Sequence, residues 1–237
     1  MTLVNKLIGI GVGPGNPELM TYQAVKTIQA SKLIFVPVAR KNVDSLALEI
    51  ASSVIKDQKI IPLVFPMIPS MEKRKKFMKE NIEIIKTYLN IYKKGVFLTI
   101  GDPSVYATYM YLVTLLQKEA VAIKTIPGIS SFSALCSKVN IPLALDDECF
   151  CVFPLKNDKK AIEDVIYRND TVVFMKISRA PKVLYQVLKE KNYFKHCILA
   201  SNIGKSSEFI SQDLELLLKD DLSYFTTLVF KKGGIYA

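Results

Sequence analysis

The sequence predicts an α/β protein of two lobes, an N-terminal one on a mainly parallel sheet and a C-terminal one on a mixed sheet. Three observations predict it. Short apolar runs rich in Ile and Val alternate with stretches of helical periodicity. Half of the 237 residues are apolar, enough for a sizeable core in one large or two small domains. Gly- and Pro-rich turns fall where a strand has ended and a helix is about to begin, the position where open α/β sheets bind ligands.

Taken in order, "KLIGIGV" (6–12) is a strand and "ELMTYQAVKTIQAS" (18–31) a helix. The pattern repeats with strand 32–38 and helix 45–55, then with strand 59–65 and a basic helix over 71–94. Strand "GVFLTI" (95–100), helix 105–119 and strand "AIKTI" (122–126) complete about five strands. The lobe boundary is placed at 122/123, giving an N-terminal domain 1–122 and a C-terminal domain 123–237. The second half continues with strand 149–155, helix 159–168, strand 171–177, helix 180–191 and strand 197–201. It closes on the short runs 207–211 and 224–232, whose tight connections predict some antiparallel pairing. No linker or internal repeat separates the lobes.

The net charge is +10, which suits an acidic partner. Much of the excess lies in "MEKRKKFMKENIEIIKTYLNIYKK", where Phe77, Ile84, Ile85, Tyr88, Leu89 and Tyr92 recur at helical spacing. That helix carries either a plainly solvated basic face or one that attracts an anion. No interleaved aromatic pattern marks a nucleic-acid surface, so no nucleic-acid partner is expected. Apolar runs fall short of the roughly 18–20 residues of a membrane helix and "MTLVNKLIGIGVGPG" lacks a cleavage pattern, so a cytoplasmic protein without a membrane partner is expected. Cys136, Cys149, Cys151 and Cys197 form no C-x-x-C pair and read as buried free thiols, with no metal site; His196, the single histidine, reads as structural or exposed.

"GIGVGPGNPELMT" misses the third glycine of G-x-G-x-x-G in either register and has no Gly-Lys-Ser/Thr, which disfavours a nicotinamide or flavin fold and removes a P-loop. It is either a turn requiring positive φ before a Pro-started helix or a close backbone approach to a ligand. "GDPSVY" (101–106) and "PGISS" (127–131) would line one crevice, and each also reads as plain helix capping.

Together, "VGPGNPELMT", "GDPSVYATY", "IPGISSFSAL" followed by "IPLA", then "TVVFMK" and "TTLVF" resemble the tetrapyrrole methylases that use S-adenosylmethionine, over nearly the whole chain. Within that family, "GDPSVYATYMYL" with "PGISSFSALCSKVNIPLALDDE" and "VVFMK" is most similar to members that methylate C-20, a meso carbon, of a reduced precorrin or its cobalt complex. The resemblance implies two α/β lobes with a cleft between them, a homodimer, S-adenosylmethionine as methyl donor in that cleft, an acidic tetrapyrrole as substrate and no protein-bound metal. It implies that Gly101, Asp102, Pro103, Val105 and Tyr106 hold the donor's methionine part and ribose, flanked by Ser130 and Ser131. Met175 and the backbone around Asn202, Ile203, Thr226 and Thr227 would meet the adenosyl group. Asp102 is an orienting group rather than a base, and no catalytic base is identified. Asn16 stands where the family often has Asp, which leaves an Asx turn but no charge. Arg40 and Lys41, after a strand end, either pair with substrate carboxylates or sit on a solvated loop. Relatives with the same Gly-Asp-Pro core act on other macrocycle carbons, on RNA or on protein, and a donor-binding module without turnover is a further alternative.

Overall fold

A computed structural model describes residues 5–66, 68 and 70–235. The chain divides into two compact units, residues 1–130 and 131–237. The first holds strands β1 (Lys6–Gly11), β2 (Leu33–Val38), β3 (Lys59–Val64), β4 (Lys94–Thr99) and β5 (Ala122–Ile126), all parallel, in the order β3-β2-β4-β1-β5. The division falls at 130/131 rather than at the expected 122/123, because β5 is hydrogen-bonded along β1 and completes the first sheet.

Both faces of this sheet are covered, which is why its strands read as continuous apolar runs. On one face Ile8, Ile10, Val36 and Leu98 pack with Ala24 and Ile28 of α1 (Tyr22–Gln29) and Ile50 of α2 (Leu46–Ala51). On the other, Leu7, Phe35 and Phe97 pack with Ile85 and Leu89 of α3 (Met71–Tyr92) and with Tyr109 and Leu112 of α4 (Tyr109–Leu116). Helix α4 starts at Tyr109, later than the 105 expected from the sequence. Residues 103–108 are spent on turns, and Tyr106 is left-handed at φ 50°, which a helix cannot accommodate.

The second unit opens with α5 (Ser131–Lys138), which packs on β10. Its sheet has the order β6-β7-β10-β8-β9, from β6 (Phe150–Pro154), β7 (Thr171–Met175), β8 (Cys197–Ser201), β9 (Phe209–Ser211) and β10 (Thr226–Lys231). Strands β6 and β7 are parallel and the remaining pairs antiparallel. Helices α6 (Lys159–Arg168) and α7 (Pro181–Glu190), with a 3-10 segment at Leu214–Leu218, cover Val172, Phe174, Leu199, Leu228 and Phe230.

Tyr109 shows how sequence choices interlock in the first unit. Its side chain is fully buried and lies over Gly9, where an added Cβ would come within 2.1 Å of the ring. The Gly9 N–H donates to the Tyr109 hydroxyl at 3.2 Å, and that hydroxyl donates to the Lys124 carbonyl at 3.2 Å, with Thr125 Oγ1 3.1 Å away. Interior strand β1 and edge strand β5 are thus braced from the α4 side. Burial raises the phenol's pKa, so it stays protonated as a donor. Gly9→Ala is expected to destabilise the protein by about 1–3 kcal/mol through overpacking. Introducing it into a Tyr109→Ala background should cost far less, because the clashing ring is gone. Denaturant unfolding of the four variants in this cycle reads the coupling, and additive effects would reject the clash.

Candidate functional site

Strands β1 and β4 are neighbours, yet the chain leaves β1 toward β2 on one side and leaves β4 toward β5 on the other. The first connection packs α1 on one face and the second packs α4 on the opposite face. This is the topological switch point at which open α/β sheets leave a ligand crevice beyond the carboxyl ends. Three turns meet there: 12–16 after β1, 100–106 after β4 and 127–130 after β5.

Their backbones are joined directly. Val12 N–H donates to the Thr99 carbonyl at 2.9 Å and Gly101 N–H to the Gly13 carbonyl at 2.8 Å. Gly11 and Gly128 make the approach possible: a Cβ on Gly128 would lie 2.2 Å from Gly101 O, and one on Gly11 would lie 2.6 Å from the Gly128 Cα. The Asp102 carboxylate closes the arrangement. One oxygen accepts from Gly128 N–H at 2.9 Å; the other accepts from Ser104 N–H at 2.7 Å and from the Ser104 hydroxyl. Asp102 therefore orients the neighbouring turn rather than presenting a carboxylate free for a ligand. Burial acts most strongly on its pKa and would raise it, but the Ser104 and Gly128 hydrogen bonds together outweigh this and hold the carboxyl below its ordinary value.

Two features of these turns suit a bound polar molecule. Gly101, left-handed at φ 67°, has on its Cβ side nothing nearer than Ile129 O at 3.9 Å, so a ligand can approach the backbone closely. Thr99, at the end of β4, is 7% exposed, and its hydroxyl has no hydrogen-bond partner among the described residues. Sequence reading missed Thr99, Gly11 and Gly128; the glycine pattern was visible, but their mutual approach is a matter of strand order. Asn16 Oδ1 accepts from Glu18 N–H at 3.0 Å, the Asx turn expected there. Around the turns, Pro103 is buried, Val105 and Ser130 are half-buried, and Tyr106 is exposed.

In the second unit the sheet register gathers Met175, Asn202, Ile203, Thr226 and Thr227 at one end, because Ser201 pairs with Thr226 and β10 runs antiparallel beside both β7 and β8. Polar atoms there bind one another. Ser201 and Thr226 hydroxyls lie 2.7 Å apart, Thr226 donates to Ser223 O at 2.6 Å, and Ser223 Oγ donates to Asn202 Oδ1 at 2.9 Å. Ser131 and Thr227 hydroxyls lie 3.2 Å apart, tying α5 to β10. Asn202 is left-handed at φ 54°, which turns the chain out of β8.

Arg40 and Lys41 follow β2 at the carboxyl end of the first sheet, exposed and without an ion pair among the described residues. His196 is structural: Nδ1 lies 3.1 Å from the Lys231 carbonyl and the ring stacks on Phe230. All four cysteines are free, with Cys136 and Cys197 buried; burial pushes Cys136 up to about 11 and Cys197 further. Cys149, expected buried, is exposed at the entry to β6. Among the described residues no group of three or more His, Cys, Asp or Glu side chains is placed to hold a metal ion, and no helix is long and apolar enough to cross a membrane.

The first unit is thus a doubly wound α/β unit whose switch-point turns offer backbone groups to a ligand, and the second is a mixed-sheet α/β unit. The chain belongs to the tetrapyrrole (corrin/porphyrin) methylase family, whose model matches residues 6–215. It is 30% identical over 230 residues to the "Probable cobalt-precorrin-2 C(20)-methyltransferase" of Methanocaldococcus jannaschii, covering 97% of each chain. It is 25% identical over 236 residues to the cobalt-precorrin-2 C(20)-methyltransferase of Salmonella typhimurium, covering 98% of each. Its fold is similar to that of a cobalt precorrin-4 methyltransferase, with a TM-score of 0.74, 17% identity and coverage of 95% and 94%. The uroporphyrin-III C-methyl transferase of Thermus thermophilus complexed with S-adenyl homocysteine gives 0.67, 17% identity and coverage of 96% and 92%.

Because the folded-state pKa of Asp102 is depressed, the stability it contributes is fully present above the ordinary value of 3.8 and is lost as pH falls from there through the lower folded-state value. Acid unfolding of the unaltered protein should therefore be steeper below that pH than acid unfolding of Asp102→Asn. Superimposable acid limbs would show that the carboxylate does not hold the turn.

Proposed function

We propose that the protein transfers the methyl group of S-adenosylmethionine to C-20, a meso carbon, of precorrin-2 or cobalt-factor II in cobalamin biosynthesis. The observation that carries this reading is similarity along the full chain to two C(20)-methyltransferases. The open backbone at Gly101 and the unpartnered Thr99 hydroxyl fit a polar donor at the switch point.

The donor's sulfonium supplies a methyl group already activated for attack. The meso carbon has enamine character; its new C–C bond forms as the C–S bond breaks with the electron pair left on sulfur, and the carbon then loses a proton. Alignment is the main task, since holding reactants at near-attack distance supplies on the order of 7–11 kcal/mol, against about 3–5 kcal/mol for a positioned base. Strong electrostatic preference for the sulfonium would oppose transfer, because its charge vanishes in the transition state. An Asp102 carboxylate already engaged by Ser104 and Gly128 is consistent with that requirement.

In this reading Gly101, Pro103, Val105 and Tyr106 hold the methionine part and ribose, and Asp102 keeps their turn in register with the 127–128 turn. Ser130 and Ser131 flank the donor, Met175 packs by the adenosyl group, and the backbone at Asn202, Ile203, Thr226 and Thr227 meets it. Arg40 and Lys41 pair with carboxylates of the macrocycle. The protein acts as a homodimer in the cytoplasm.

Calorimetry is expected to give S-adenosylmethionine and its demethylated product similar affinities, since both share the ends that the turns grip; no heat or competition at sub-millimolar donor would reject the donor site. With methyl-carbon-13 donor and reduced precorrin-2, with and without cobalt, NMR should place one new methyl at C-20. Label on another ring carbon, or in RNA or protein, would reject the assignment. Arg40→Ala should raise the KM for the tetrapyrrole and leave donor affinity unchanged; equal losses for both ligands would point to a damaged fold instead.

A further inference from the structure

Helix α3 runs back along the sheet from the carboxyl end of β3, but not all of it lies on the sheet. Asn81 Nδ2 donates to the carbonyl of Val64, the last residue of β3, at 2.8 Å. The fully packed positions Ile82, Ile85 and Leu89 all follow Asn81. Before Asn81 only Met78 among the described residues of α3 still packs against that core, so most of this part of the helix projects past the end of the strand. From Lys73 to Asn81 this is about 12 Å at 1.5 Å per residue. Lys73, Arg74, Lys75, Lys76 and Lys79 are all exposed on this overhang, against the acidic Glu72 and Glu80. Lys73, Lys75, Lys76 and Lys79 enter no ion pair among the described residues.

The neighbouring loop adds to the same end. Strands β2 and β3 are in parallel register with Val38 opposite Val64, and Phe65 N–H still donates to the Val38 carbonyl at 2.8 Å. Arg40 and Lys41 come two and three residues after Val38. Both cationic groups therefore lie beyond the carboxyl edge of the sheet, the edge that carries the switch-point turns.

Local stability does not explain this charge. The positive end of a helix dipole favours acidic residues, and the negative end favours basic ones. Here four consecutive basic residues crowd the first turns, while the last turn has none. By contrast, Lys86, further along the helix, is paired with Glu83 and Glu119. An anion docking at the overhang would relieve the repulsion.

We infer that the overhanging half of α3, with Lys75 and Lys79 one turn apart on it, forms together with Arg40 and Lys41 a docking strip for the carboxylate side chains of a macrocyclic substrate. The inference rests on the proposed carboxylated tetrapyrrole substrate and extends its recognition to α3. The strip is a specificity element remote from the reacting carbon: it raises macrocycle affinity and leaves the donor untouched.

The test uses uroporphyrin, a fluorescent porphyrin carrying many carboxylates, titrated into the full chain and read by fluorescence without turnover. Lys75→Glu/Lys79→Glu is compared with Lys56→Glu/Lys118→Glu, which makes the same change in net charge at exposed positions just before β3 and β5, the opposite end of the sheet. The strip variant should bind about tenfold more weakly and with a shallower salt dependence, while the control stays within about twofold. Affinity for the demethylated product of the donor, read by calorimetry, should be unchanged in both. Both positions are exposed, so circular dichroism and Tm should be little changed in the strip variant. Equal losses in the two variants, equal binding in both, or no binding of uroporphyrin by the unaltered protein would overturn the strip. Failure of the labelled methyl to reach any tetrapyrrole, with probe binding still dependent on Lys75 and Lys79, would reject the reaction and not the strip.

Discussion

The first unit depends on one carboxylate placed where three backbones converge. Asp102 spans from the turn after β4 to the turn after β5, and the turn after β1 is locked to the same place through Gly101 and Gly13. These contacts demand glycine at 11 and 128, since any side chain there would meet backbone within 3 Å. The result is a rim of peptide groups held in fixed positions, which is what a reaction governed by alignment needs. A half-buried acid engaged by several donors also keeps its charge without offering it to a ligand.

Below that rim, Tyr109 braces β1 to β5 through its hydroxyl, and its ring takes the space that a side chain at Gly9 would have filled. The second unit uses the same economy with neutral groups. A run of hydroxyl and amide contacts through Ser201, Thr226, Ser223 and Asn202 fixes one end of its sheet. In both units these polar side chains bind other protein groups, which leaves main-chain groups, apolar side chains and the Thr99 hydroxyl for a ligand.

Charge follows a different logic. Lys73, Lys75, Lys76 and Lys79 on the overhang of α3, and Arg40 and Lys41 in the loop after β2, enter no ion pair among the described residues. Placing them at the positive end of a helix opposes local stability, and departures of that kind are expected where a sequence serves binding rather than folding.

Much of this was legible in the chain alone. Alternating apolar runs and helical periods identified the strands and helices with few errors, because burial on both faces leaves a strong hydrophobic signal, and the ordered turns "GDPSVY" and "PGISS" marked the family. What the sequence could not determine was partnership. It placed Asp102 in a turn but not its bond to Gly128, a contact between residues 26 apart that exists because β5 was laid beside β1 rather than beside β4. It counted β5 among the first lobe's strands yet drew the lobe boundary at 122/123, inside that strand, since an edge strand is claimed by whichever sheet hydrogen-bonds it. It showed a basic amphipathic helix and left open what its charge was for. Only the register between Asn81 and Val64 decided which half of that helix covers the sheet and which half extends past it, because side-chain periodicity records the buried face of a helix and not where along its axis the strand beneath it stops.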